Sequence, residues 1–196
     1  MRSTHLTTSL VTAFAGLAQA QSPGYTCFPN CITPTIPASN KNFTFGSNYA
    51  VLNLDMINGI VASVASTPEG EAWIDSTSTW IDAVHAKDPS PLSIWTRIWF
   101  ANANRPEVGP SSPFGAAVAG LQPGTQDDNA TMIYPAFEVA EEDVVLQKFR
   151  YYAGWENGLE TILRAQQVDT VILSGIRTSG VILSTAYTLF NLDYTV

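Results

Sequence analysis

Short apolar runs alternate with segments of helical periodicity over most of the chain. The apolar runs predict strands that are buried on both faces of a sheet, and they cover residues 49–56, 91–100, 143–148 and 169–176. Apolar positions at helical spacing predict helices over 67–84, 155–165 and 181–190. This order predicts an α/β fold with an open, mostly parallel sheet, helices on both faces in a Rossmann-type three-layer arrangement, and right-handed crossovers.

The first 20 residues stand apart from this pattern. They contain one early charge at Arg2, an apolar run over 10–17 and the small-residue ending Ala18-Gln19-Ala20, which together are typical of a secretory signal peptide. The apolar run is shorter than the roughly 20 residues that a membrane-spanning helix needs. We therefore expect cleavage after Ala20, a secreted, extracellular protein, and no membrane partner.

Two further segments lack a regular pattern. Residues 21–48 are rich in Pro, Ser, Thr and Asn and predict an extended arm, and residues 49–196 then have the size of one domain. A run rich in Gly, Pro and Ser over 102–123 predicts a long loop between the second and third strands. Such a loop either covers a binding site as a lid or lies on the surface without a role in binding. The amino-acid sequence of this segment does not favour one alternative over the other.

Charge narrows the choice of partner. The chain has a formal net charge of −8, and an acidic surface repels phosphate backbones. Nucleic acid is therefore excluded as a partner, and a small-molecule substrate or ligand is expected instead.

The sequons and the cysteines fit an extracellular location. The sequons at Asn42 and Asn129 predict glycosylation in a eukaryotic host. Cys27 and Cys31 are the only cysteines and predict a small local disulfide. A redox or metal pair is the alternative, but His85 is the only histidine beyond residue 20, so a mixed Cys and His metal site would lack ligands.

Polar residues stand where three of the predicted strands end. Asp55 follows the first strand, Lys148 ends the third, and Thr178-Ser179-Gly180 follows the fourth. Ligands bind outside the carboxyl ends of parallel strands, so these groups can converge on one site. There Lys148 would hold Asp55 ionised and polarise a carbonyl, while the amides of residues 178–181 bind an oxyanion. The alternative is an ordinary ion pair that closes the sheet.

Four motifs occur in a fixed order between about residue 49 and residue 196: LNLDMING, VLQKFRYYAG, LETILRAQQVDTVILSGIRTSG and STAYTLFNLDY. Together they resemble the isochorismatase-like hydrolases, the superfamily of cysteine hydrolases that includes the nicotinamidases. The resemblance implies a parallel α/β sheet in which Asp55 takes the proton of a catalytic thiol and Lys148 orients Asp55 and the substrate. It also implies a cis peptide at Arg177–Thr178 that helps to shape an oxyanion hole.

The thiol of that family has no counterpart in this sequence. The family's Cys position falls on Val181, three residues past Thr178, and valine has no nucleophilic atom. Cys27 and Cys31 lie in the arm and cannot easily replace it, and the Ser179 side chain points elsewhere if the turn follows the family.

Two functions therefore stay open at the level of the sequence. In the first, the chain hydrolyses a small amide, ester or vinyl ether with activated water, using Asp55 as the base and Lys148 as its partner. In the second, the chain is a catalytically inactive member that binds a small carbonyl or carboxylate ligand, with Val181 filling the space of the nucleophile.

Two departures from the family complete the expectations. Nicotinamidase-like relatives carry a zinc-binding motif with histidine after the Asp, whereas MINGIVASVASTPEG contains neither His nor an acid before Glu69, so we expect no metal and no organic cofactor. Family members also continue into further strands beyond the point where this sequence ends in DYTV. We therefore expect the C-terminal strands to be missing, or the open edge to be covered by a partner chain, as in a homo-oligomer.

Overall fold

The structure, a computed structural model, describes residues 45–109, 111–121 and 123–196. The predicted signal peptide, the Cys27–Cys31 disulfide, the sequon at Asn42 and most of the predicted arm lie outside the described residues.

Four parallel strands form the sheet. They are β1 (Tyr49–Leu54), β2 (Leu92–Ile98), β3 (Val144–Lys148) and β4 (Thr170–Gly175), arranged in the order β3-β2-β1-β4. All three strand pairs are parallel, with Leu54 opposite Thr96 on one side and opposite Gly175 on the other. The predicted open parallel α/β sheet is confirmed, and each predicted strand is found within two residues of its expected bounds.

Helices follow the strands in the predicted order. They are α1 (Asn58–Val61), α2 (Pro68–His85), α3 (Pro113–Ala117), α4 (Leu159–Ala165) and α5 (Leu183–Asn191), with a π-helical turn (Thr178–Ile182) leading directly into α5. The Thr67 hydroxyl accepts a hydrogen bond from the Gly70 amide (3.0 Å) and caps α2, as expected for a hydroxyl before Pro68. Within the described residues, no helix combines the length and apolar character needed to cross a bilayer.

Two predicted bounds differ from the structure. The helix predicted over 155–165 begins only at Leu159, because Glu156 has a positive φ of 52° and the Asn157 side chain accepts a hydrogen bond from the Leu159 amide (3.0 Å). The loop predicted over 102–123 is not irregular throughout, since it contains α3. The Ser112 hydroxyl caps that helix by accepting a hydrogen bond from the Gly115 amide (3.0 Å).

The two faces of the sheet bury separate apolar clusters. One cluster packs Leu52 and Ile94 of the sheet against Leu163 of α4 and Leu189 of α5. The other packs Trp95 of β2 with residues of α2, including Ile81. Helices therefore cover both faces, which explains why the strands are apolar without alternation.

A third apolar cluster lies beside the carboxyl ends of the strands. It joins Ile98 and Phe100, at the end of β2, to Val118 and Leu121 from the segment that follows α3. The segment between β2 and β3 is thereby held over the same edge of the sheet at which the polar residues were predicted.

Candidate active site

A cavity of about 410 Å³ opens at the carboxyl ends of the strands. Asp55, Lys148 and Val181 line it and are themselves buried. Most of the remaining walls are apolar or aromatic, with contributions from Ile60, Ile98, Phe114, Val118, Leu121 and Tyr151. A pocket of this kind, which combines apolar walls with convergent polar groups, is typical of a small-molecule site.

Asp55 is held by the end of the neighbouring strand. Its amide donates to the carbonyl oxygen of Thr96 (3.2 Å) and to the Thr96 Oγ1 atom (3.1 Å), and the Thr96 hydroxyl donates in turn to Oδ1 of Asp55 (2.8 Å). Asp55 also has a positive φ of 56°. The carboxylate is therefore fixed in position by both its backbone and its side chain.

Lys148 reaches Asp55 from β3, on the far side of β2. Its Nζ atom lies 2.7 Å from Oδ2 of Asp55, and it also donates to the carbonyl oxygens of Arg150 (2.7 Å) and Tyr151 (3.4 Å). An ammonium group has three N–H donors, so these three oxygens use its whole capacity. Polarising a substrate carbonyl would require Lys148 to give up one of these contacts, of which the one to Tyr151 is the longest.

Burial dominates the acidity of Asp55. Desolvation raises the pKa of the Asp55 carboxyl above its ordinary value, while the charge and hydrogen bond of Lys148 and the hydrogen bond from Thr96 oppose that rise. A carboxylate with a raised pKa is a better proton acceptor near neutral pH than an exposed one. The site therefore has the electrostatics of a general base or acid.

A sharp turn connects β4 to the π-helical turn. Gly175 has a φ of 146°, and a Cβ atom at this position would lie 2.2 Å from the carbonyl oxygen of Leu54. The predicted cis bond at Arg177–Thr178 is wrong, because the cis peptide joins Ile176 and Arg177. Arg177 then directly precedes the π-helical turn in an extended conformation.

The residues after this turn divide between two surfaces. Ser179, Gly180 and Val181 line the cavity together with Asp55, whereas Thr178 lines a neighbouring depression instead. The Val181 side chain is buried in the cavity wall and offers no nucleophilic or hydrogen-bonding atom.

The amides of the predicted oxyanion site are only partly available. The Gly180 amide donates to the carbonyl oxygen of Arg177 (3.1 Å). Within the described residues, the amides of Thr178 and Ser179 have no hydrogen-bond acceptor, as is usual for the first residues of a helix. Of the two residues only Ser179 lines the cavity, so its amide is the donor that the turn offers to a ligand there.

Helix α3 and its flanks close one side of the cavity. The Phe114 ring meets the Tyr151 ring edge to face, with centroids 5.7 Å apart, and the Arg150 guanidinium lies 5.2 Å from the centroid of Phe114. Arg105 donates to the carbonyl oxygen of Val118 (3.0 Å). Part of the segment predicted as a loop over 102–123 therefore forms a wall of the cavity, and its role as a lid stays a prediction.

The sequence did not point to Thr96, to α3 or to the side chain of Arg177 as parts of the site. Thr96 was detectable in principle, since it is a hydroxyl near the end of an otherwise largely apolar strand. The location of Arg177 on the cavity lining depends on the conformation of the turn after β4, for which the sequence carries no periodic signal.

The remaining predicted residues lie elsewhere. The His85 ring nitrogen is 3.1 Å from an Asp143 carboxylate oxygen, which also accepts a hydrogen bond from the Trp95 indole (2.7 Å), at the amino end of the sheet. Asn129 is exposed at the start of a short 3-10 turn, and its glycosylation stays a prediction. Residues 45–109, 111–121 and 123–196 contain no group of three or more His, Cys, Asp or Glu arranged to bind a metal ion.

Comparison with known proteins identifies the fold. The Isochorismatase domain profile matches residues 49–196. An isochorismatase family protein from Burkholderia thailandensis has 23% identity and a TM-score of 0.62, over 77% of this chain and 76% of that chain. For N-carbamoylsarcosine amidase from Thermoplasma acidophilum the identity is 20% and the TM-score 0.60, over 75% and 78% of the two chains.

A third structure extends the comparison. Pyrazinamidase/nicotinamidase from Streptococcus mutans has 20% identity and a TM-score of 0.55, over 75% of this chain and 82% of that chain. No curated protein matches the sequence. At these identities the solved structures establish a shared fold rather than a shared substrate, whereas the domain profile covers most of the chain. The chain therefore belongs to the isochorismatase-like hydrolase family.

Proposed function

We propose that the chain is a secreted hydrolase that cleaves a small amide, ester or vinyl ether with water as the attacking group. The observation that carries this proposal is the buried pair of Asp55 and Lys148 on the lining of a cavity with both polar and apolar walls. Structural ion pairs also occur at sheet ends, but this one faces a cavity large enough for a small molecule.

In this reaction Asp55 accepts a proton from a water molecule. For an amide or ester, the water oxygen forms a bond to the carbonyl carbon, the C–N or C–O bond breaks, and the leaving group takes up the proton from Asp55. For a vinyl ether, Asp55 in its acid form protonates the alkene carbon, and water adds to the oxygen-bearing carbon and returns a proton to Asp55. The C–O bond of the resulting hemiacetal or hemiketal then breaks, with the hydroxyl proton passing to the departing alcohol and a carbonyl group left behind. Both Asp55 oxygens keep a second lone pair beside their present hydrogen bonds, so either can exchange the proton.

Lys148 acts on the base rather than on the substrate. Its N–H groups donate to Asp55 and to the carbonyl oxygens of Arg150 and Tyr151. The ammonium group therefore orients the Asp55 carboxylate, and its charge offsets the free-energy cost of ionising that buried group. The free amide of Ser179, a residue of the cavity lining, stabilises the oxyanion.

Val181 distinguishes this reaction from that of a cysteine hydrolase. By the motif alignment it occupies the position of the family's Cys, and its side chain cannot form a covalent intermediate. Water therefore attacks directly, which predicts single-displacement kinetics with no acyl-enzyme.

Replacement of the base tests the proposal. A panel of small amides, esters and one vinyl ether is incubated with the full secreted chain, with Asp55→Asn, and with Asp75→Asn, an exposed acid on α2 that serves as the matched control. We expect turnover in the wild type and in Asp75→Asn, and a decrease of about 100-fold or more in Asp55→Asn. Turnover that survives Asp55→Asn unchanged would contradict the mechanism.

The alternative is a catalytically inactive member that binds a small carbonyl or carboxylate ligand. It is favoured by the apolar Val181 side chain in the cavity wall and by the full use of the Lys148 donors. In that case the wild type shows no turnover with any substrate of the panel, and Asp55→Asn changes only the affinity for ligand.

Secretion is a separate part of the proposal. It is supported by the pattern of residues 1–20. Amino-terminal sequencing of the protein recovered from the culture medium should begin at Gln21.

A further inference from the structure

Three charged residues line the cavity, and they differ in their availability. Asp55 and Lys148 are buried and paired with each other, whereas Arg177 is exposed at the turn that follows β4. Arg177 also lines the neighbouring depression, which places it where the two surfaces meet. Of the three charged residues, Arg177 is therefore the one that solvent and an incoming ligand can reach.

Lys148 has no donor left for an anionic ligand, because its three contacts are to oxygens of the protein. The case of Arg177 is the opposite. Its guanidinium, which carries five N–H donors, makes a single 3.3 Å hydrogen bond to the Ser63 hydroxyl and no ion pair with any described carboxylate. Arg177 is thus the cation of the cavity with free hydrogen-bonding capacity.

A purely structural role for Arg177 has little support. Glu69 lines the same neighbouring depression, but the two residues form no ion pair. An exposed hydrogen bond to one serine contributes little to stability. The side chain is therefore not needed to hold the turn.

The rest of the cavity decides where a negative charge can lie. Ile60, Phe114 and Leu121 provide apolar walls, so the body of the ligand is apolar. The carboxylate of Asp55 on the buried side repels a second anion, and the net charge of −8 disfavours anions over the protein as a whole. Arg177 is the place at which an anion is locally favoured.

We propose that Arg177 selects a substrate that carries a carboxylate on an apolar body, with the carboxylate at Arg177 and the group to be cleaved facing Asp55. This rests on the proposed function in that it takes the cavity as the substrate site. The planar fork of a guanidinium matches a carboxylate in a two-point contact. A phosphate ester is less suited, because one arginine would face a dianion with no second free cation on the cavity lining.

Two probes that differ only in charge test the proposal without catalysis. Benzoate and benzamide share an apolar ring, and their dissociation constants are measured by titration calorimetry at low ionic strength with the full chain. The variants are Arg177→Gln, Arg177→Lys and Arg164→Gln. Arg164 is an exposed arginine of α4 that pairs with Glu160, so its replacement changes the net charge by the same amount away from the cavity.

The wild type and Arg164→Gln should bind benzoate about 10-fold more tightly than benzamide. Arg177→Gln should lose that preference while its benzamide affinity stays within about 2-fold, and Arg177→Lys should retain part of it, because an ammonium keeps the charge but not the fork. The proposal is overturned if the wild type binds benzoate no better than benzamide, or binds neither. It is also overturned if Arg164→Gln weakens benzoate binding as much as Arg177→Gln does.

The two proposals fail in different ways. The binding of benzoate and benzamide does not depend on turnover. A protein that shows no turnover but prefers benzoate because of Arg177 would therefore contradict the proposed hydrolysis and still support the selection of carboxylates. A protein that hydrolyses the substrates but binds benzoate no better than benzamide would contradict the selection of carboxylates by Arg177. The role of Asp55 as the base would be unaffected.

Discussion

The Nζ atom of Lys148 lies 2.7 Å from Oδ2 of Asp55, although β2 separates the strands that carry them. Thr96, at the position of β2 that pairs with Leu54, fills the gap and donates a hydrogen bond to the other carboxylate oxygen. Three consecutive strands of the sheet therefore contribute one residue each to the same buried cluster. Changes to any of the three should alter the charge state of Asp55 in a predictable direction.

Removal of the ammonium group should destabilise the fold. Lys148→Met leaves a buried carboxylate without its counter-charge, which costs roughly 3–5 kcal/mol of unfolding free energy when Asp55 is ionised. The substitution also removes two influences that lower the pKa of Asp55, so that pKa rises further. The measurement is urea-induced unfolding followed by tryptophan fluorescence, at pH 5 and pH 8.

The sign of the pH dependence follows from linkage. A carboxyl whose pKa is higher in the folded state than in the unfolded state stabilises the fold at low pH, and this contribution is lost as the pH rises through the folded-state value. Relative to the wild type, Lys148→Met should therefore lose more unfolding free energy at pH 8 than at pH 5. Lys87→Met, on the exposed segment after α2, is the control and should match the wild type at both pH values. An equal loss at both pH values would argue against a buried charge as the cause.

Thr96→Val should move the pH dependence of activity. Valine keeps the shape of threonine but removes the hydroxyl that donates to Oδ1 of Asp55, so the pKa of Asp55 rises. If Asp55 is the base that activates water, the acidic limb of the kcat/KM profile should shift to higher pH. The unfolding free energy should fall by about 1–2 kcal/mol.

The matched control for that substitution is Thr79→Val. Thr79 is exposed on α2 and donates only to a backbone carbonyl of its own helix. Its profile should coincide with that of the wild type. A Thr96→Val profile that also coincides with the wild type would show that Asp55 does not set the acidic limb.

Gly175→Ala should be one of the most damaging substitutions in the chain. A Cβ atom there would lie 2.2 Å from the backbone oxygen of Leu54, and a φ of 146° is strained for any residue with a side chain. We expect a loss of at least about 2 kcal/mol in unfolding free energy, measured by chemical denaturation. At Gly120, where no atom of the described residues beyond its two chain neighbours lies within 4 Å of the added methyl group, the same substitution should change stability by less than about 0.5 kcal/mol. Equal effects at the two positions would contradict the close approach at the end of β4.

Val181→Cys should introduce thiol-dependent hydrolysis. Val181 lines the cavity that contains Asp55 and Lys148, so a thiol there would have a base and a cation close by. We expect turnover that iodoacetamide abolishes, measured on the same panel of amides and esters. Val181→Ala, which opens similar space without a thiol, is the control. A folded Val181→Cys protein that gains nothing over Val181→Ala would show that the cavity is not arranged for a nucleophile at this position.

The sheet was predictable because its strands are nearly continuous apolar runs. Such runs predict strands that are buried on both faces, and in a parallel sheet the carboxyl ends of all strands lie on one edge. That constraint alone brings Asp55 and Lys148 to the same edge, and the structure places them in contact. Their catalytic role stays a prediction.

Other parts of the site depend on loops and could not be derived in the same way. The short helix α3 has no apolar periodicity of its own and is held over the cavity by contacts such as the one between Phe114 and Tyr151. The location of Arg177 on the cavity lining depends on the turn between β4 and the π-helical turn, which no local pattern specifies. The full use of the Lys148 hydrogen-bond donors also depends on two backbone carbonyl groups in the loop that follows β3.

The left-handed backbone conformation at Asp55 limits which substitutions can be interpreted there. Asn and Asp enter this region far more readily than other residues with a side chain, since their short polar groups can bond locally. Asparagine therefore keeps the backbone conformation at position 55. It removes the charge and also one of the two acceptor oxygens, so its NH2 group faces either the Thr96 hydroxyl or the Lys148 ammonium. Alanine would add about 1 kcal/mol of backbone strain and confound chemistry with folding. Random mutagenesis of this position should accordingly recover folded but inactive proteins mainly as Asn or Gly.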